Sequence, residues 1–464
     1  MALDTIPKQE GGKLKAVASG TLPNGKPVIV NSDGTVSVIV GSADSIGSEA
    51  TFSATAIQKP SATFDTANNK VVVAYIGNSN YATVVVGTVS GTSISFGSAV
   101  IAESSSSEDT TVVFDSSNNK VILTYRAGNN GKSVVGTVSG TSISFGTKAT
   151  FQSSGVEYVN SVFDSNSNKF VAIWSNDNSS KAGTAAVGTV SGTSISFGSA
   201  AVFKSSGIFA TSPAFDSTNN KIVIAYGISN IIEAVVGTVS GTSISFGTPV
   251  SSSVGGTYRK LAMNDSTGQG VIGYRTNVSP YDGKAISITV SGTSVSFGTG
   301  TQFTTDILAV DSVVFDSSRN KFFIIYGADI YPVTLNGTDV SFGSSFEISS
   351  ENIDQIVAAL DNNDKLVLAY RNLTDSQAGQ SLVFTPASTN LTSENYIGMS
   401  TGGAVADGDN ATVDIVGAVN KEQSGLTAGQ KYYVQTDGTI STTAADPSVL
   451  AGTAASATKI IVKT

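Results

Sequence analysis

Histidine and cysteine are both absent from the 464-residue chain. Their absence excludes Ser-His-Asp and Cys-His nucleophilic sites, imidazole- or thiolate-bound metals, and the side chain best suited to proton transfer near neutral pH. It also excludes disulfides and leaves the redox compartment open. Most hydrolytic schemes end there, and a paired-carboxylate glycosidase stands as the catalytic alternative to a non-enzymatic chain. Charge is sparse as well. Only 26 Lys and Arg face 35 Asp and Glu, a net charge of −9, and a nucleic-acid groove needs clustered cations. No run of about 18 apolar residues is present, so membrane insertion is not expected. The opening MALDTIPKQEGGK lacks the basic start and apolar stretch of a secretory signal, so export by that route is not expected either. Periodic helix formers are missing.

What is abundant is glycine, 48 residues, among Ser, Thr and short β-branched runs, the composition of strands joined by tight turns. The string VGTVSGTSISFG stands at Val86–Gly97, Val135–Gly146, Val187–Gly198 and Val236–Gly247, with worn copies ending at Gly298 and Gly343. The marker phenylalanines Phe96, Phe145, Phe197, Phe246, Phe297 and Phe342 recur about every 50 residues. A second phrase keeps the same beat: FDTANNK from Phe64, FDSSNNK from Phe114, FDSNSNK from Phe163, FDSTNNK from Phe215 and FDSSRNK from Phe315, with variants at Asn264 and Leu360.

Each repeat reads as four strands, and four strands per unit of about 40 to 50 residues is the β-propeller pattern, with an open solenoid as the rival. The seventh repeat has three strands, at 356–360, 365–370 and 381–385, but no SISFG element. Near the N-terminus, SIGSEATFSAT (45–55) resembles that element and has no FD phrase before it. Joining the two predicts an all-β fold: a seven-bladed β-propeller closed by an N-terminal strand. The expected boundaries are 1–40 for an N-terminal segment, 41–394 for the propeller and 395–464 for a small β domain. The two flanks emerge together, so they are expected to share one β-barrel or sandwich, with related hairpins at VNSDGTVS and VQTDGTIS.

The recurring aspartates, Asp65, Asp115, Asp164, Asp216, Asp265, Asp316 and Asp361, open the turns and are expected to cap them rather than bind metal or act as acids. DGDNATVD (407–414) alternates oxygen ligands but lacks the closing Glu of a calcium loop, so it reads as a plain loop. Tyr75, Tyr125, Trp174, Tyr226, Tyr274, Tyr326 and Tyr370 recur once per repeat and are expected in the core. Arg126, Arg275 and Arg371 each follow one of these aromatics. Three arginines on one axis could hold a carboxylate as in propeller sialidases, but the SxDxGxTW boxes are missing, and solvated strand ends are the expectation. No cofactor and no metal are expected.

In a four-stranded blade the FD and SGTS turns share one face, and they barely change here. The connections on the opposite face vary, which is where recognition loops sit on a repeating scaffold. Tyr81, Lys132, Asp177, Tyr281, Asp282, Tyr331 and Asp375 in these connections are candidate binding residues, with Tyr158, Phe209, Tyr258 and Arg259 in the links between repeats. Drift in unconstrained loops is the alternative.

The phrases GKLKAVASGTLPNGKPVIVNSDGTVSVI, VVGTVSGTSISFG, FDSSNNK and GLTAGQKYYVQTDGT together resemble virion structural proteins of tailed phages, especially those infecting marine bacteria and cyanobacteria. The resemblance implies a virion surface part, a tail-fibre-like or appendage protein that leaves the cell by lysis, and supplies no catalytic residues. Its expected partners are other virion proteins and a host-surface glycan or receptor. A homo-oligomer is expected because virion fittings obey symmetry. A capsid decoration or tail-associated module without a ligand is the structural alternative.

Overall fold

The computed structural model describes residues 8–10, 12–445 and 447–463. The chain divides into two compact units, residues 46–385 and residues 1–45 with 386–464.

Residues 46–385 fold into seven antiparallel sheets of one plan. In the second, Ser107–Asp115, Lys120–Ala127 and Asn130–Ser139 form a meander, and Ser142–Phe145 and Ala149–Gln152 then run along the same outer edge of Asn130–Ser139. The last two are one fourth strand interrupted at 146–148. Local chemistry dictates the turns. Asp115 Oδ1 accepts from the Ser117 and Asn118 amides at 3.0 Å, which lets Asn119 enter the left-handed region at φ 52°. The SGTS hairpins place Gly91, Gly140, Gly192, Gly241, Gly292 and Gly337 at φ near 60°, where a Cβ is costly. In the fifth sheet the cap is Asn264, which accepts from the Ser266 amide at 2.9 Å, and not Asp265. Met263-Asn264 replaces Phe-Asp there, so the expected aspartate series slips by one residue.

The sheets stack through their apolar faces. Val72, Ala74, Leu123, Tyr125 and Val134 share a core between the first and second, and equivalent clusters lie between later neighbours. The recurring aromatics Tyr75, Tyr125, Trp174, Tyr226, Tyr274, Tyr326 and Tyr370 are buried in these layers. Each inner strand packs on the next, and the seventh, Ile353–Leu360, packs on the first, Gln58–Asp65. Side chains bridge the turns the same way: Ser217 Oγ donates to the Asp265 carbonyl at 2.9 Å, and Asn362 Nδ2 donates to the Thr66 carbonyl at 3.0 Å across the seventh and first sheets. The unit is an all-β propeller-type repeat.

The outer edge of the seventh sheet comes from the N-terminal side. Ala50–Ala56 pairs with Ala378–Thr385, Ser381 opposite Ala50 and Ala378 opposite Ala56. Phe52 then covers Gly379, as Phe151, Phe203 and Phe303 cover Gly131, Gly183 and Gly283 in other sheets. In each pair a Cβ on the glycine would collide with the ring. Phe52 joins Val71, Tyr75, Val367 and Val383 in a core shared by the seventh and first sheets.

In the other unit, Lys8–Glu10, Lys13–Val17, Asn410–Asp414, Tyr396–Thr401, Pro27–Val30 and Val36–Val38 form one sheet in that spatial order. Val419–Asn420, Lys459–Val462, Val449–Ser456, Lys431–Val434 and Ile440–Ser441 form a second. Ile29, Tyr396 and Met399 of the first meet Val434, Ala451 and Ile460 of the second in one core. The two DGT hairpins are alike: Asp33 accepts from the Thr35 amide and hydroxyl, and Asp437 does the same for Thr439. The boundaries differ from those expected at 40/41 and 394/395, because Gly41–Ser42 pairs with Ser388–Thr389 and Leu391 lies in this unit's core. Part of the segment 407–414 read as a loop is the strand Asn410–Asp414, where Asp414 is buried and accepts from Asn420 at 3.0 Å.

Candidate functional site

On the face opposite the FD and SGTS turns, every inner strand is interrupted by a register shift. Such bulges re-aim side chains. The residue six before the turn cap sits at this point, and in six of the sheets it has positive φ: Lys59 (49°), Asp109 (50°), Tyr158 (51°), Ala210 (39°), Tyr258 (49°) and Gln355 (52°). Left-handed backbone is strained for bulky side chains and persists only where the surroundings over-determine it. In the first, second and seventh sheets the surroundings are polar. The Lys59 amide donates to Gln355 Oε1 at 2.6 Å, the Tyr158 amide to Asp109 Oδ2 at 3.0 Å, and Lys59 Nζ lies 3.8 Å from Asp109 Oδ1.

In the third, fourth and fifth sheets the same bulge position or its neighbours are aromatic. Tyr158 and Phe209 touch edge to face at 6.4 Å, and Lys181 lies over the Phe209 ring at 5.8 Å. Arg259 joins the fourth sheet to the fifth: its guanidinium donates to the carbonyls of Phe209 at 3.1 Å, Ala210 at 3.2 Å and Gly256 at 2.8 Å. The Arg275 guanidinium stacks on Tyr258 at 4.6 Å and Tyr281 at 5.7 Å. Tyr158, Phe209, Tyr258 and Tyr281 are 36%, 41%, 53% and 39% exposed, so four large rings lie in solvent as a strip of two groups, Tyr158 with Phe209 and Tyr258 with Tyr281 across Arg275. Tyr281 also has positive φ, 65°.

Of the expected binding residues, Tyr158 thus comes together with Phe209, and Tyr258 with Tyr281. Arg259, next to Tyr258 in the chain and bonded to the Phe209 carbonyl, is buried, and burial pushes its guanidinium down to about 10. It positions the strip and does not face solvent. Asp177 and Asp375 are exposed in the connections of the third and seventh sheets, and Tyr81 is half-buried in the first. Two assignments to loops are corrected, and Asp282, although in its expected connection, is buried. Tyr331 is buried against Phe303 at 4.7 Å, because Asp329–Asn336 is strand where a loop was read. Asp282 is buried beside the strand Gly283–Ser291, its carbonyl accepting from the Thr276 amide at 2.9 Å. Lys132 is held 3.1 Å from Glu103 of the neighbouring sheet, where Lys148 also reaches that carboxylate at 3.2 Å.

The arginines are not solvated strand ends either. Arg126 pairs with Glu108, and Arg371 binds Asp354 through two nitrogens at 2.8 and 2.6 Å, which holds the Arg371 guanidinium above its ordinary range. Sequence reading missed Lys181 and the bulge residues Lys59, Asp109 and Gln355. Counting six back from each turn cap would have found the last three. Deeper between the inner strands, burial pushes the Asp311 carboxyl up to about 7 and holds Lys260 below its ordinary value. A shallow cleft of about 140 Å³ opens among Gln58, Lys59, Asn80, Ser106 and Glu108. Among the described residues no group of three acidic side chains is arranged to hold a metal ion.

No family model matches the chain, and no curated protein matches it. Solved structures that resemble it include the β-propeller domain of Myceliophteria thermophila Cps50 (Swd1), 10% identical, with a TM-score of 0.48 over 74% of this chain and 99% of that one. A functionally unknown protein from Desulfotomaculum acetoxidans is also 10% identical, with a TM-score of 0.47 over 65% of this chain and 95% of that one. The NanB sialidase from Streptococcus pneumoniae, in complex with 2-[(3-chlorobenzyl)ammonio]ethanesulfonate, is 12% identical, with a TM-score of 0.42 over 73% of this chain and 69% of that one. The fold assignment rests on the strand pairing, and none of these likenesses carries a function here.

Proposed function

We propose that the protein is a non-catalytic surface part of a phage virion, a fibre or appendage component, whose repeat unit binds a glycan on the host surface. The seven sheets are then seven blades of one closed ring, latched by Ala50–Ala56, and the unit built from both termini anchors the protein to the particle as a small β-sandwich. The observation that carries the binding reading is the strip of exposed rings, Tyr158, Phe209, Tyr258 and Tyr281, on the face where connections vary. Large rings left in solvent at three strained backbone positions mark a surface kept for contact. The sequence resemblance supports the virion setting. The lack of histidine and the ion pairs of Arg126 and Arg371 favour binding over hydrolysis.

The test is binding of the full-length chain to an array of bacterial surface polysaccharides and to cells displaying them. Wild type is expected to bind, and the Tyr158→Ala/Tyr258→Ala double variant to lose at least tenfold in affinity. Equal binding by the two proteins, or no binding by wild type, would overturn the reading. Antibody labelling of particles carrying the chain tests the virion setting, and unlabelled particles would remove it.

A further inference from the structure

In three sheets an arginine follows the buried second-strand aromatic, and the residue paired with it on the inner strand decides its fate. Glu108 stands opposite Arg126 and Asp354 opposite Arg371, and both pairs close as ion pairs. In the third sheet Ser175 takes the arginine's place, and the opposite acid, Glu157, is met by Lys181 at 2.9 Å. In the fifth sheet the residue opposite Arg275 is Thr257.

Arg275 therefore lacks the carboxylate its counterparts have, and among the described residues it forms no ion pair. Its Nε and the Thr257 Oγ1 are both buried without a hydrogen-bond partner. Asp282, beside the Gly283 paired with Arg275, also leaves its Oδ1 buried and unbonded. Stacking on Tyr258 and Tyr281 holds the guanidinium instead. The result is an oriented cation, outside any ion pair, between two exposed rings, on a chain whose net charge is −9.

We infer that Arg275, Tyr258 and Tyr281 form a subsite for a carboxylate-bearing sugar, such as a uronic acid residue of an acidic surface polysaccharide. The planar guanidinium offers a fork that matches a carboxylate in two parallel hydrogen bonds, the interaction that Glu108 and Asp354 supply internally in other sheets. The flanking rings offer apolar faces to the sugar ring. This inference rests on the glycan-binding reading above and names the class of glycan.

The probes are a uronate-containing oligosaccharide, the same oligosaccharide with its carboxyl groups reduced, and a sulfated neutral counterpart, each titrated against the full-length protein. Wild type is expected to bind the uronate form at least tenfold more tightly than the reduced form and to prefer it over the sulfated one. Arg275→Gln should remove that preference, and Arg275→Lys should restore it only in part, because an ammonium lacks the fork. Thr257→Glu is the second variant. It recreates the Glu108–Arg126 arrangement, should fold at least as stably as wild type, and should also abolish the preference by occupying Arg275 internally. Equal affinity for uronate and reduced forms in wild type, preference for the sulfated form, or uronate preference surviving Thr257→Glu would overturn the inference. Binding of neutral glycans alone would do so while leaving the glycan-binding reading intact, whereas binding of no polysaccharide at all would remove both.

Discussion

Arg259 of the fifth sheet donates to the carbonyl of Phe209 in the fourth, at 3.1 Å, and fills the space left by Gly227. A Cβ at Gly227 would lie 2.5 Å from the guanidinium nitrogens, so the glycine and the arginine depend on each other. Arg259→Met keeps the apolar stem but leaves the carbonyls of Phe209, Ala210 and Gly256 without their donor. Of these acceptors only the Gly256 carbonyl is buried, where an unsatisfied acceptor costs about 1 to 3 kcal/mol, while water can reach those of the exposed Phe209 and Ala210. A loss of about 1 to 2 kcal/mol is expected, read as a lower urea midpoint at unchanged slope. Faster amide exchange confined to residues 208–211 and 256–259 would show that the strip is loosened at this point.

The outer edge of the seventh sheet yields a second prediction. Phe52 packs on Tyr75 and Phe96 with ring centroids 5.4 Å apart in both pairs, and it covers Gly379. Removing a buried phenylalanine ring costs about 3 to 5 kcal/mol. Phe52→Ala should therefore destabilise the repeat unit as much as Phe203→Ala, the equivalent change inside an unbroken repeat. If Phe52→Ala cost less than about 1 kcal/mol in chemical denaturation, the N-terminal strand would not be closing the structure.

Much of this fold was legible because each repeat states its own grammar. The aspartate cap, the asparagine after it and the SGTS glycine are local devices, and they appear where their chemistry predicts except in the fifth sheet, where Asn264 and not Asp265 caps the turn. The strand 50–56 was legible for the same reason, since Ile46-Gly47-Ser48 copies Phe96-Gly97-Ser98. What failed depended on partners distant in sequence. Lys132 reads as a loop cation until Glu103 of the previous sheet is seen beside it, and Tyr331 reads as a loop ring until the hairpin at 327–328 proves too short to leave a loop. Arg275 differs from Arg126 in the residue across the strand and in the rings it stacks on, a register that the bulge shifts and a sequence does not display.

Glu103 supplies an acid-stability prediction. Burial works against its charge, but Lys132 and Lys148 outweigh that, with the Ser105 amide helping, and hold the carboxyl down at about 2 from an ordinary 4.5. A folded value below the unfolded one stabilises the fold above pH 4.5, and this contribution is lost as pH falls towards 2. The difference corresponds to at most about 3 kcal/mol. Glu103→Gln should lower stability by up to that amount at pH 7. The gap between variant and wild type should narrow steadily between pH 4.5 and 2 in thermal melts.

Asp311 should behave in the opposite sense. Burial beside the inner strands raises its carboxyl from 3.8 to about 7, against the pull of Lys260 and of the Gly327 and Ile356 amides, with Asp354 adding to the rise. Here the folded state binds the proton more tightly than the unfolded chain. The associated stability is therefore fully present below pH 3.8 and is lost as pH rises through 7. Asp311→Asn removes the titration while keeping an oxygen that accepts from the same amides. The variant should match wild type below pH 4 and be the more stable protein at pH 8, by at least about 1 kcal/mol, since a tenfold difference in proton affinity between folded and unfolded chains is worth about 1.4 kcal/mol. Melting temperatures of the two proteins across pH 3 to 9 check this. A variant less stable than wild type at pH 8 would mean that the ionised carboxylate is needed to offset the charge of Lys260 rather than strained by its burial.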